Sequence, residues 1–133
     1  MSHLALLVLL AGTAADGSQC LSYGRATIEG VLSAEEFPGP PNYESVQRGD
    51  RAEKCFFVSP ATPICVEESK DQDQERESNV TRVQIAINRK GGFPVLERLV
   101  GRRVSCSGEL FHAHTGHHHA RVLMLGMCQA AQP

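Results

Sequence analysis

The chain has 133 residues, 41% of them hydrophobic, which is the size of one domain with one modest core and excludes a multi-domain enzyme. Its 13 basic and 15 acidic residues leave a formal net charge of -2, so no bulk positive field is available to hold a nucleic-acid backbone. With 12 Gly, 7 Pro, no Trp, five Phe and two Tyr, the chain is turn-rich and must build its core from Val, Leu and Ile.

Residues 1–15 contain no Lys, Arg, Asp or Glu, and the unbroken apolar run 4–11 is followed by Gly12, Thr13, Ala14 and Ala15. That is the pattern of a signal-peptide apolar region and its cleavage site. The run is short of the ~20 apolar residues that span a bilayer. Thr13 stands where an acylated lipoprotein would need a cysteine. The expectation is therefore an exported, soluble protein without a membrane anchor, with a signal peptide at 1–15 and a single domain over 16–133. An oxidising compartment favours disulfides. The five cysteines form no CxxC metal or redox motif, and their odd number leaves at least one outside intrachain pairing.

In the mature part, residues 23–32 alternate, with Ala26, Ile28 and Gly30 on one parity and Thr27, Glu29 and Val31 on the other, which predicts a first strand. Residues 37–50, FPGPPNYESVQRGD, hold three prolines and two glycines and predict a long, stiffened loop. Residues 54–58 predict a second strand that 63–66 can extend. The acidic stretch 67–78, EESKDQDQERES, reads as a solvated loop.

Residues 80–88 put Val83, Ile85 and Ile87 on one face and Arg82, Gln84 and Ala86 on the other, a third strand. Residues 89–92 predict a turn. Pro94 then opens a short helix with Val95, Leu96, Leu99 and Val100 as its stripe and Gly101 as its end. Residues 102–111 and 120–127 are the fourth and fifth strands. A mainly β chain with one short helix between strands three and four matches the five-stranded Greek-key barrel of the oligonucleotide/oligosaccharide-binding (OB) type. That fold binds ligands over strands two and three and with the loops joining strands one to two and four to five. Both unusual stretches, the proline loop and the histidine segment, fall on those loops.

Apart from His3, all the histidines lie at His112, His114, His117, His118 and His119. A two-residue hairpin turn at Thr115-Gly116 would set His114 opposite His117 and His112 opposite His119, on one face, with His118 turned away. Four imidazoles so placed suit zinc, copper or nickel. The same row also reads as stacked histidines that hold the loop by hydrogen bonds. No HExxH, GxSxG or phosphate-binding motif is present. A metal-activated water would need a base, and Glu35, Glu44 and Asp50 are candidates that nothing in the sequence separates. Phe37, Asn42 and Tyr43, with Glu44 and Asp50, form the expected ligand-binding set, suited to stacking and hydrogen bonding. Residues 16–81 carry six bases and thirteen acids, and residues 82–133 carry seven bases and two acids, so the two halves attract one another.

Together, FPGPPNYESVQRGD, PICV and LFHAHTGHHHARVL resemble an exported bacterial family catalogued as domain of unknown function 4431, over residues 20–127. The resemblance implies a periplasmic or secreted location, a role for both loops, and a disulfide between Cys20 and Cys65. Cys55, Cys106 and Cys128 depart from that pattern and leave a second bridge open. The functional expectation is a small exported binding module for an unknown ligand or an envelope protein. Its rivals are a metal-dependent envelope hydrolase and an inhibitor or immunity protein.

Overall fold

The structure, a computed structural model, describes residues 20–87 and 89–133, so the expected signal peptide at 1–15 lies outside the described residues. Strand β1 (Leu21–Ser22) is followed by β2 (Gly24–Pro38), which buries Ile28, Gly30 and Leu32 and exposes Thr27, Glu29 and Val31, the parity expected of the alternating sequence. Its residues 24–31 pair antiparallel with β7 (Arg103–His112), and its residues 31–38 pair antiparallel with β3 (Ala52–Ser59). One long strand thus serves both neighbours and closes the sheet. Gly30 sits at the changeover, where a Cβ would fall on the Ser59 carbonyl.

The remaining barrel strands are β6 (Val83–Ala86) and β8 (Val122–Ala130), which pair parallel. The closed barrel runs β2-β3-β6-β8-β7, and α1 (Arg89–Leu99) connects β6 to β7. This is the OB-type barrel read from the order of elements. Inside it Leu32, Phe56, Val58, Val83, Val104 and Met124 are buried in one cluster, capped by Leu96 and Leu99 of α1.

Four sequence expectations change. The proline loop starts at Gly39, because Phe37 and Pro38 finish β2, and a proline at a strand end forfeits little of the ladder. The helix begins at Arg89 and contains Pro94. Gly92 is buried, and a Cβ there would press on Ile87 and Met127, so packing overrides the turn propensity of Gly91-Gly92. The acidic stretch is no free loop: its ends belong to β4 (Ile64–Glu67) and β5 (Glu77–Val80), which form a separate sheet of order β1-β4-β5. The expected third strand is split between β5 and β6, with Asn79 in the left-handed region at φ 52° just before the break.

Covalent bonds fasten both sheets. Cys20 and Cys65 are bridged, tying the start of the described chain to β4, and the Tyr23 hydroxyl donates to the Glu75 carbonyl above it. Cys106 and Cys128 stand directly opposite each other on β7 and β8 and form a second disulfide. Cys55 lies outside both bridges and is buried. Two disulfides in so small a chain fit an oxidising, extracytoplasmic compartment. Among the described residues no helix is long and apolar enough to cross a membrane.

Candidate ligand groove on the outer barrel face

Strand periodicity places Glu53, Cys55 and Phe57 on the face of β3 that points away from the barrel interior, and cross-strand register aligns Phe57 with Gln84 of β6 and Leu123 of β8. By alternation this face should be solvated. All five of these residues are buried instead, because residues 113–121 fold over part of it. Gln84 fastens that loop with both ends of its amide. Nε2 donates to the His117 carbonyl at 3.0 Å, and Oε1 accepts the His119 N–H at 2.6 Å. Phe37 stacks flat on the His119 imidazole with centroids 3.8 Å apart, and it meets Phe57 edge-on at 6.0 Å. The Arg82 guanidinium lies 4.0 Å over the Phe57 ring.

The proline loop is organised by Asp50, a buried carboxylate that accepts the N–H groups of Asn42, Glu44 and Ser45, each at 2.9 Å. The amides of Ser45 and Glu44 are the main reason its carboxyl is held below the ordinary range. Asp50 and the Asn42 backbone are therefore scaffold, and Glu44 stands exposed at the loop surface. Tyr43 is the residue that reaches the other loop. Its hydroxyl lies 3.1 Å from His117 Nε2, Gly116 packs against its ring, and His117 Nδ1 lies 2.6 Å from Glu53 Oε1. The two loops meet as the OB reading required, through a Tyr43–His117–Glu53 chain.

The histidine register differs from the expected hairpin. β7 ends with His112 opposite Val122, and His118 Nδ1 accepts the N–H groups of His114 at 2.9 Å and Thr115 at 3.2 Å. A side chain has taken the amides that a tight ladder would have used. As a result His112, His114, His117 and His119 do not converge. His112 bonds Glu77 at 2.8 Å, His114 meets His118 edge-on at 4.8 Å, His117 faces Glu53, and His119 lies on Phe37. Among the described residues, the group with ligand atoms close enough for one ion is Glu75, Glu77 and His112, within 4.8 Å, and Arg121 already holds Glu77 at 2.7 Å. Glu35 is engaged by Arg82 at 2.8 Å.

What the loops leave open is a groove of about 510 Å³ along β3, β6 and α1. Among its lining residues the half-buried Ile87 and Phe93 supply an apolar wall, and Glu53 with His117 supplies a polar end. Arg51 and Lys54 line it and are exposed to solvent. Such a combination of apolar wall and few convergent polar groups suits a small or extended ligand.

The histidines titrate in opposite directions. The hydrogen bond to Glu77 raises the pKa of His112 above its ordinary value against the opposing effect of burial, and the Ala113 carbonyl at its other ring nitrogen adds to the rise. Burial lowers His118, helped by charge on His114, His117 and His119; burial also lowers His119. The stability contributed by His112 is complete below the unfolded value near 6.5 and is lost as pH rises through its raised folded value. For His118 and His119 the unfolded chain gains protons first, so stability falls as pH drops below about 6.5. Side-chain NMR titration should give a midpoint for His112 above 6.5 and midpoints for His118 and His119 below it; the reverse order would refute this assignment.

Residues 82–125 match the family model described as a domain of unknown function (DUF4431). The match covers 44 of the 133 residues. The DUF4431 match takes in Gln84 and the whole histidine loop and leaves Glu53 and the proline loop outside it. No curated protein and no solved structure matches the chain.

Two residues central to the groove, Glu53 and Gln84, escape a reading of motifs. The signal for Glu53 is its parity with Cys55 and Phe57, one step before the expected second strand. Gln84 carries only the signal of a polar residue in a strand, which ordinarily means solvent.

Proposed function

We propose that the chain is a small exported bacterial binding module, periplasmic or secreted, whose ligand occupies the groove along β3 and β6. The observation that carries this reading is the 510 Å³ groove itself, on the face and between the loops that OB-type barrels use for ligands. Its chemistry asks for a ligand with an apolar or aromatic body to lie against Ile87 and Phe93, and a polar group to reach Glu53 and His117. The two disulfides support export, because such bonds persist only in oxidising surroundings.

The test is an NMR screen of the isotope-labelled protein with a library of small aromatic, sugar and dipeptide fragments. Hits should shift amides of residues 53–56, 84–87, 93 and 117 together. His117→Ala should weaken hits that carry a polar group up to about tenfold, the effect of losing one hydrogen bond. Hits that cluster on another face, or that ignore the His117 substitution, would overturn the proposal.

A further inference from the structure

On the other side of the histidine loop lies a second cavity of about 490 Å³, formed where the β5–β6 connection faces residues 112–121. Its walls carry Arg82, Arg121, His112, His118 and His119 and, among the described residues, no carboxylate. The acids that balance the two arginines are not part of the lining. Glu35 holds Arg82 at 2.8 Å and Glu77 holds Arg121 at 2.7 Å, each through one N–H of the guanidinium. A guanidinium has five N–H donors. Among the described residues Arg82 gives another to the His119 carbonyl, and Arg121 gives others to the carbonyls of Ser78 and Asn79.

His119, which lines this cavity, carries a second unusual feature. Its Nε2 is the buried side-chain nitrogen or oxygen that lacks a hydrogen-bond partner among the described residues. Buried polar atoms are ordinarily satisfied, and leaving one bare is costly. The stack on Phe37 and the backbone bonds of His119 to Gln84 and Arg82 hold the residue in place.

We propose that this second cavity is a binding site for a small oxyanion, a phosphate or carboxylate group borne by a ligand. Arg82 and Arg121 supply charge and spare donors, and the His119 imidazole lies in the same wall, where a bound anion would draw its bare Nε2 into the contact. The site is separate from the groove, with which it shares His118 in the intervening wall.

The experiment follows the imidazole resonances of the full chain at pH 7 and constant ionic strength, titrated with inorganic phosphate, with acetate, and with chloride as control. The expected result is a saturable shift at His119 with phosphate or acetate and none with chloride. Phosphate binding tighter than acetate assigns a phosphoryl group, and the reverse assigns a carboxylate; either supports the site. Arg121→Gln should weaken binding at least tenfold. His119→Phe, which keeps an aromatic ring against Phe37, should weaken it also. A linear response in all histidines, or a His119→Phe variant that folds and binds as the parent does, would overturn the proposal. Fragment binding in the groove should be unaffected by His119→Phe, so the two sites can fail separately.

Discussion

Replacing Phe57 with Ala should lower the unfolding free energy by about 4 kcal/mol, the range for emptying a buried aromatic site. Phe57 is fully buried, yet it does not belong to the barrel interior. It lies on the outer face, under Phe37 and the Arg82 guanidinium, in register with Gln84. The cavity left by truncation would lie beneath the contacts that seat the histidine loop. The loss should therefore be double: a lower urea midpoint with an unchanged slope, and faster amide exchange in residues 113–121. Tyr43→Phe is the control, because it removes only the hydroxyl near His117 at the exposed end of the contact. It should cost no more than about 1 kcal/mol, the net worth of an ordinary hydrogen bond. A Phe57→Ala protein within 1 kcal/mol of the parent would mean that the outer face is not a packed layer.

Joint replacement of Cys20 and Cys65 by Ser should cost a comparable ~4 kcal/mol. The bridge spans a sequence separation of 45, and a closed loop of that length removes about this much chain entropy from the unfolded state. The Cys106–Cys128 bridge spans 22 and should be worth somewhat less, ~3.4 kcal/mol by the same relation. The two bridges also act on different structure. Loss of Cys20–Cys65 should loosen the small sheet, whose first strand has only two residues, while the barrel remains closed by its own pairing. Double replacement is preferable to single, since one orphaned thiol could exchange with the surviving bridge. Chemical denaturation of the double variant measures the cost, and peptide mapping without reductant verifies the parent pairing. Alkylation of Cys20 or Cys65 in the parent would contradict the structure.

A stability loss of this size is a large share of what a domain of 133 residues can hold, given the usual total of 5–15 kcal/mol. Either variant therefore tests whether the site and the fold are one cooperative unit. If the loop seated on Gln84 opens below the global transition, exchange in residues 113–121 will exceed that of β3 and β6 even in the parent.

The barrel was legible in the sequence because it rests on local signals. Period-two alternation set the inward parity of β2 and β6, the proline-rich stretch marked the first long connection, and a single 3.6-period stripe placed the helix between the third and fourth barrel strands. These are short-range properties of backbone and side chain, so they survive without knowledge of partners. The loop mouth followed from the order of elements alone.

The contents of that mouth did not follow, and the histidines show why. Parity arguments hold only while the ladder continues, and at His112 it stops, because His118 offers its ring nitrogen to the amides of His114 and Thr115. From there each imidazole takes the partner that distant chain segments bring to it: Glu77 for His112, Glu53 for His117, Phe37 for His119. Gln84 reads as a solvent-facing residue in its own strand and becomes the clamp of the loop only because residues 113–121 fold across the outer face. The sequence by itself determined the barrel, the helix and the position of the loops. Tertiary structure alone decided which polar groups face one another across the groove, since pairings between residues 64 or 74 positions apart leave no trace in local spacing.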